Sequence, residues 1–78
     1  MTNTLELELA IKRAMVTKKE IAIALNISSM SLYKKINNIT EFKASELYKL
    51  TDVLNLGIKE RELIFFTHNG DLKSTNTA

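Results

Sequence analysis

Polar and basic side chains are concentrated between residues 12 and 43 of this 78-residue chain. That stretch holds seven Lys or Arg against two Asp or Glu, a net charge of +5, whereas the whole chain carries +2. Ser, Thr, Asn and Tyr lie among these cations. Ammonium groups bind phosphates, and hydroxyl and amide groups form hydrogen bonds with the edges of bases. The composition of this stretch therefore predicts a surface that binds nucleic acid.

Catalytic chemistry has little support in the same sequence. The chain has one His, His68, with no Cys and no second His to share a metal ion or a catalytic triad. Its two glycines stand apart and form no phosphate-binding loop. We therefore expect neither an enzyme nor a cofactor or metal site.

Local sequence signals place the polar side chains on two short helices. Residues 17–20, Thr-Lys-Lys-Glu, have the pattern of a capping box, and apolar residues recur at helical spacing over residues 21–25. Asn26 can adopt the left-handed conformation that ends a helix, and Ser28 can cap a second helix. Residues 17–38 thus predict two helices joined by a tight turn.

This stretch resembles the helix-turn-helix domains of the lambda-repressor and Cro class, especially the small Cro-like proteins of phages of Gram-positive bacteria. The likeness covers about residues 7–66. The residues that carry it in the paired helices are Thr17, Ile21, Ala22, Leu25, Asn26, Ile27, Ser28, Leu32 and Ile36. The chain departs from the family pattern at Asn26, where Gly is usual, and at Ile23, where a polar residue is usual.

The resemblance implies a sequence-specific transcriptional regulator, a Cro-type repressor, bound to a double-stranded DNA operator as a homodimer. Its recognition helix, about Ser29–Asn37, is expected to enter the major groove. The side chains expected at base edges are Ser28, Ser29, Met30, Tyr33 and Lys34. The residues expected to contact phosphates are Thr17, Lys18, Asn37, Asn38 and Lys43.

Four of these residues also have a purely structural alternative. Thr17 can be a helix cap and nothing more. A Met at a helix start, such as Met30, is about as often part of the core as it is a base contact. Tyr33 can cover apolar surface, and Lys34 can be an ordinary solvated lysine. The residue types alone leave these alternatives open.

Three further helices are expected around the pair. Residues 4–15 fit a helix by the spacing of their apolar residues, although the letters LELELAI also alternate as in a strand. A fourth helix is predicted over residues 44–55, with Gly57 placed to end it, and a fifth over residues 59–67. The expected fold is a compact, all-α, five-helix, lambda-repressor-like domain.

This domain is expected to span residues 1–67, followed by a flexible tail over residues 68–78. No apolar run approaches the ~20 residues of a membrane span, and the first residues lack the layout of a signal peptide. The absence of Cys fits a reducing compartment. We expect a protein of the bacterial or phage-infected cytoplasm with no membrane partner.

Four successive apolar residues, Leu63–Phe66, exceed what one helix face can bury. We expect Ile64, Phe65 and Phe66 to supply a symmetric dimer interface, with at least one aromatic ring outside the core of the single chain. Alternatively, both rings complete that core and dimers form only on DNA. A second hypothesis is a protein-interaction module on the same fold, such as an antirepressor that binds a phage repressor. The low total charge and Ile23 favour that hypothesis.

Overall fold

Helix caps divide the chain into short helical segments. The computed structural model describes residues 1–66, and the predicted tail lies outside the described residues. The helices are α1 (Thr4–Ala14), α2 (Lys18–Leu25), α3 (Ser29–Ile36), α4 (Ala44–Leu54) and α5 (Ile58–Arg61), and α5 continues directly into a π-helical turn, Glu62–Phe66. No strand occurs within residues 1–66. The predicted all-α architecture is confirmed, and the first segment is a helix rather than a strand.

Left-handed residues end three of the helices. Met15, Asn26 and Asn55 follow α1, α2 and α4 with φ angles of 58°, 58° and 53°. Asn38, in the loop after α3, has a φ of 64°. The prediction that Gly57 ends α4 is wrong, because Asn55 takes the left-handed position and Gly57, at φ −78°, precedes α5. Asn tolerates this conformation through local hydrogen bonding of its short side chain.

The core lies between α1, α4 and the inward faces of α2 and α3. Its fully buried large side chains come from all four of these helices and from the π turn: Leu7, Ile21, Leu32, Ile36, Leu50 and Ile64. Helix α2 packs against α3 and α4, and α1 packs against α4 and the π turn. The α2–α3 pair is therefore held from one side only, and its opposite side faces solvent.

The π turn separates the four apolar residues at its end into inward and outward positions. Ile64 and Phe65 are 1% and 6% exposed, and the Phe65 ring meets Phe42 edge-on with centroids 5.9 Å apart. Phe66 is 52% exposed and Leu63 is 43% exposed. Ile64 and Phe65 belong to the core of the single chain, and the predicted dimer interface stays a prediction. Phe66 is the aromatic ring that lies outside the core.

Candidate nucleic-acid interface

The start of α2 is fixed by the predicted capping box. The Thr17 hydroxyl accepts the Glu20 N–H at 3.0 Å, and the Glu20 carboxylate accepts the Thr17 N–H at 2.8 Å. These two bonds satisfy two of the backbone donors that a helix start leaves open. The Glu20 carboxylate also places a negative charge beside the positive end of the helix. A phosphate at this site would have only the remaining N–H groups available.

A three-residue turn, residues 26–28, sets α3 relative to α2. The Ile27 N–H donates to the Ala22 carbonyl at 3.0 Å, and the left-handed Asn26 allows the chain to reverse at this point. The Ser28 hydroxyl accepts the Ser31 N–H at 3.0 Å and so caps α3. The first turn of α3 therefore begins at a fixed point.

Helix α3 has one buried side and one solvent-facing side. Leu32 and Ile36 are 2% and 1% exposed and anchor the buried side. Five side chains at helical spacing form the opposite side, which we call the α3 face: Ser29, Met30, Tyr33, Lys34 and Asn37. Met30 and Tyr33 are 62% and 58% exposed, so neither completes the core. Within residues 1–66, the Lys34 ammonium group forms no ion pair or hydrogen bond.

Lys18, at the start of α2, is already paired. Its ammonium nitrogen lies 2.9 Å from a carboxylate oxygen of Glu8 on α1, and both side chains are largely solvated. An ion pair this exposed contributes about 0–1 kcal/mol to stability, so a phosphate can replace Glu8 at little cost.

The two asparagines after α3 use their side chains within the chain. The Asn37 amide nitrogen donates to the Tyr33 carbonyl at 2.9 Å. The Asn38 amide exchanges two hydrogen bonds with the backbone of Thr2, each of 2.9 Å. Their predicted role as phosphate contacts would require these bonds to break. Of the predicted contacts, those with no hydrogen bond or ion pair from their side chains within the described range are Ser29, Met30, Tyr33, Lys34 and Lys43.

Lys35 has a role that its place in the basic stretch does not suggest. Its ammonium nitrogen lies 3.0 Å from Glu46 Oε1 on α4, and the two side chains are 11% and 9% exposed. It also donates to the Glu41 carbonyl at 3.1 Å, while the Lys43 N–H donates to Glu46 at 2.8 Å. Lys35 therefore joins α3 to α4 and is not available to DNA.

The charged state of Glu46 is stabilised by these donors. Burial raises the pKa of the Glu46 carboxyl, but the hydrogen bond from the Lys43 backbone and the bond and charge of Lys35 outweigh burial and leave the pKa lowered. The sequence indicates a capping role for Glu46, because this residue stands at the third position of α4, where a carboxylate can cap the helix. It gives no such indication for Lys35.

The described residues offer little support for other kinds of site. No group of three or more His, Cys, Asp or Glu in this part of the chain is placed to hold a metal ion. None of the helices between residues 1 and 66 has the length and apolar character needed to cross a membrane.

Comparison of the chain with protein-family models, with curated proteins and with solved structures found no match. The likeness to Cro-class domains therefore rests on the residues alone.

Proposed function

We propose that the protein is a sequence-specific DNA-binding transcriptional regulator of the Cro type, with α3 as the helix that enters the major groove. The observation that carries the proposal is the α3 face, a solvent-facing set of side chains on a helix whose other side is anchored in the core. An α-helix with its side chains is about 10–12 Å in diameter, and the major groove is about 12 Å wide, so α3 fits within it.

The chemistry of the α3 face suits base edges. The Ser29 hydroxyl can donate or accept a hydrogen bond, and the Met30 side chain can contact a thymine methyl group. Lys34 can donate to the two acceptors that guanine presents in the major groove, or to a phosphate. Tyr33 adds an exposed ring and hydroxyl one turn along the helix. Discrimination then depends mainly on Ser29, Met30 and Lys34.

Phosphate contacts position such a helix without reading the sequence. Within residues 1–66 the Lys43 ammonium group, just before α4, forms no ion pair, although its charge helps to lower the pKa of Glu46. Lys18 can exchange Glu8 for a phosphate. Both lysines lie within the stretch of residues 12–43 that carries the excess positive charge. We assign Lys18 and Lys43 to the DNA backbone.

Two copies of the chain are expected on one operator, because a single helix of this kind reads only a few base pairs. Of the three residues predicted at the dimer contact, Phe66 is the one that the single chain leaves exposed. A homodimer that covers a promoter site acts as a repressor, which is the direction of regulation we propose.

A protein-interaction role, such as that of an antirepressor, is the second candidate. The observation that favours it is Ile23, a β-branched apolar residue on α2 that is 71% exposed. An isolated exposed apolar residue is common on protein surfaces, so this observation carries less weight than the α3 face. Replacing Ile23 by Ser should abolish binding to a repressor partner but leave DNA binding unchanged.

The test is a fluorescence-anisotropy titration of the protein against duplex DNA from upstream of its own operon, repeated at several salt concentrations. Lys34→Ala should weaken binding to the duplex. If Lys34 contacts a phosphate, the negative slope of log affinity against log salt should also become shallower by about one. Lys59→Ala, which removes an equal charge from α5, is the matched control and should bind like the wild type. Binding whose affinity does not depend on salt would contradict the proposal, as would equal affinities of Lys34→Ala and Lys59→Ala for the duplex.

A further inference from the structure

Residues 2–4 connect directly to the far end of α3. The Thr2 N–H donates to Asn38 Oδ1 and the Asn38 amide nitrogen donates to the Thr2 carbonyl, both at 2.9 Å. The Thr4 hydroxyl donates to the Ile36 carbonyl at 2.7 Å. These three bonds join residues that lie more than 30 positions apart in the chain. They bring α1 against the residues that end α3.

The other side of the same segment is fastened to the core. The Asn3 N–H donates to the Ile64 carbonyl at 2.6 Å, and Ile64 is 1% exposed. The Asn3 side chain in turn accepts the Glu6 N–H and caps α1. Residues 2–4 therefore lie between the π turn and the C-terminal end of α3, and they connect that end of α3 to the core.

The end of α3 needs such support because the helix has only eight residues. Short helices are marginal in isolation, and their last four carbonyl groups have no partner within the helix. The Lys34 carbonyl receives the Ile39 N–H at 2.8 Å, and the Ile36 carbonyl receives the Thr4 hydroxyl. Asn38, at φ 64°, reverses the chain so that its amide faces Thr2.

We propose that residues 2–4 form a clasp that fixes the C-terminal end of α3 and the turn that follows it. Thr4 and Asn38 are then positioning residues for the α3 face. Without the clasp, the last turn of α3, which carries Tyr33 and Lys34, and the following Asn37 are free to fray. Ser28 and the clasp fix the two ends of the helix independently. The part of this inference that concerns DNA rests on the proposed function.

The clasp is tested first without DNA, by amide hydrogen exchange. Thr4→Val keeps the shape of the side chain but removes the hydroxyl donor, whereas Thr4→Ser keeps the donor. The Val variant loses the hydrogen bond to Ile36 and the longer bond, 3.5 Å, that the Thr4 hydroxyl accepts from the Asn38 amide. Exchange at Ile39 and Thr40 should therefore speed by about fivefold to tenfold in the Val variant, with wild-type rates in the Ser variant. Core amides of α2 should keep their rates. Unchanged rates at Ile39 and Thr40, or equal acceleration throughout the chain, would overturn the clasp.

The positioning role is tested by operator affinity at a temperature where every variant is folded. Asn38→Gly keeps the left-handed backbone but removes the side-chain amide. Both this variant and Thr4→Val should bind the operator about fivefold to tenfold more weakly than the wild type. Thr4→Ser should restore wild-type affinity. Wild-type affinity in the Val and Gly variants would overturn the positioning role. If the wild type itself fails to bind DNA, the proposed function fails, and hydrogen exchange alone still decides whether the clasp exists.

Discussion

Removing the positive charge of Lys35 should destabilise the fold severely. In Lys35→Met the side chain keeps its length but leaves the Glu46 carboxylate, 9% exposed, without the ammonium group that forms its ion pair. Breaking a buried pair in this way costs about 3–5 kcal/mol, and we expect about 3 kcal/mol because both side chains retain some contact with water. A domain of this size has a total stability of roughly 4–12 kcal/mol, so the loss is a large fraction.

The assay is urea denaturation followed by circular dichroism, with linear extrapolation to water. Glu46→Gln is the companion variant, since its amide oxygen can still accept the Lys43 N–H, and it should cost about 1–2 kcal/mol. The double variant should cost less than the sum of the two single variants, because each single change removes the same ion pair. A loss below about 0.5 kcal/mol in Lys35→Met would show that the Lys35–Glu46 pair does not stabilise the fold, since surface substitutions fall within that range.

The pH dependence of the same measurement follows from the lowered pKa of Glu46. A carboxyl whose pKa is lower in the folded state contributes stability above its ordinary pKa, and that contribution is lost as the pH falls through the folded value. The advantage of the wild type over Glu46→Gln should therefore be full at neutral pH and shrink in acid. A difference that is constant across this range would show that Glu46 acts only through its size and shape.

Three further predictions use single substitutions. Thr17→Ala should cost about 1 kcal/mol in urea denaturation through loss of the α2 cap, and an unchanged midpoint would contradict the assigned bond. Asn26→Gly should raise the melting temperature by relieving a left-handed residue whereas Asn26→Val lowers it, and the reverse order would contradict the φ of 58°. Phe65→Ala should cost about 3–5 kcal/mol. Phe66→Ala should leave stability nearly unchanged and weaken self-association in analytical ultracentrifugation, and equal destabilisation by the two would contradict the burial pattern.

The features that the sequence predicted correctly depend on neighbours in the chain. The Thr17 capping box, the left-handed Asn26 and the Ser28 cap each involve groups within five positions of one another, so local patterns reveal them. The burial of Leu32 and Ile36 follows from helical periodicity, which also leaves the α3 face outside.

The features that the sequence missed depend on partners that are distant in the chain. From the sequence, Lys35 is one more surface lysine. In the fold, α4 places Glu46 Oε1 3.0 Å from its ammonium nitrogen. The hydrogen bond between the Asn38 side chain and the backbone of Thr2 is likewise not visible in the sequence, and the predicted phosphate contact of Asn38 stays a prediction. No local sequence pattern predicts either pair, because both pairs depend on how the helices pack.

The assignment of α3 to the major groove is tested most directly by amide chemical-shift mapping during titration with the operator duplex. We expect the largest shifts at Ser29, Met30, Tyr33 and Lys34, with smaller shifts at Lys18 and Lys43. Amides on the outer side of α5 should not move. Shifts centred on Ile23 or Phe66, with the α3 face unaffected, would show that α3 does not enter the major groove and would favour a protein-interaction surface.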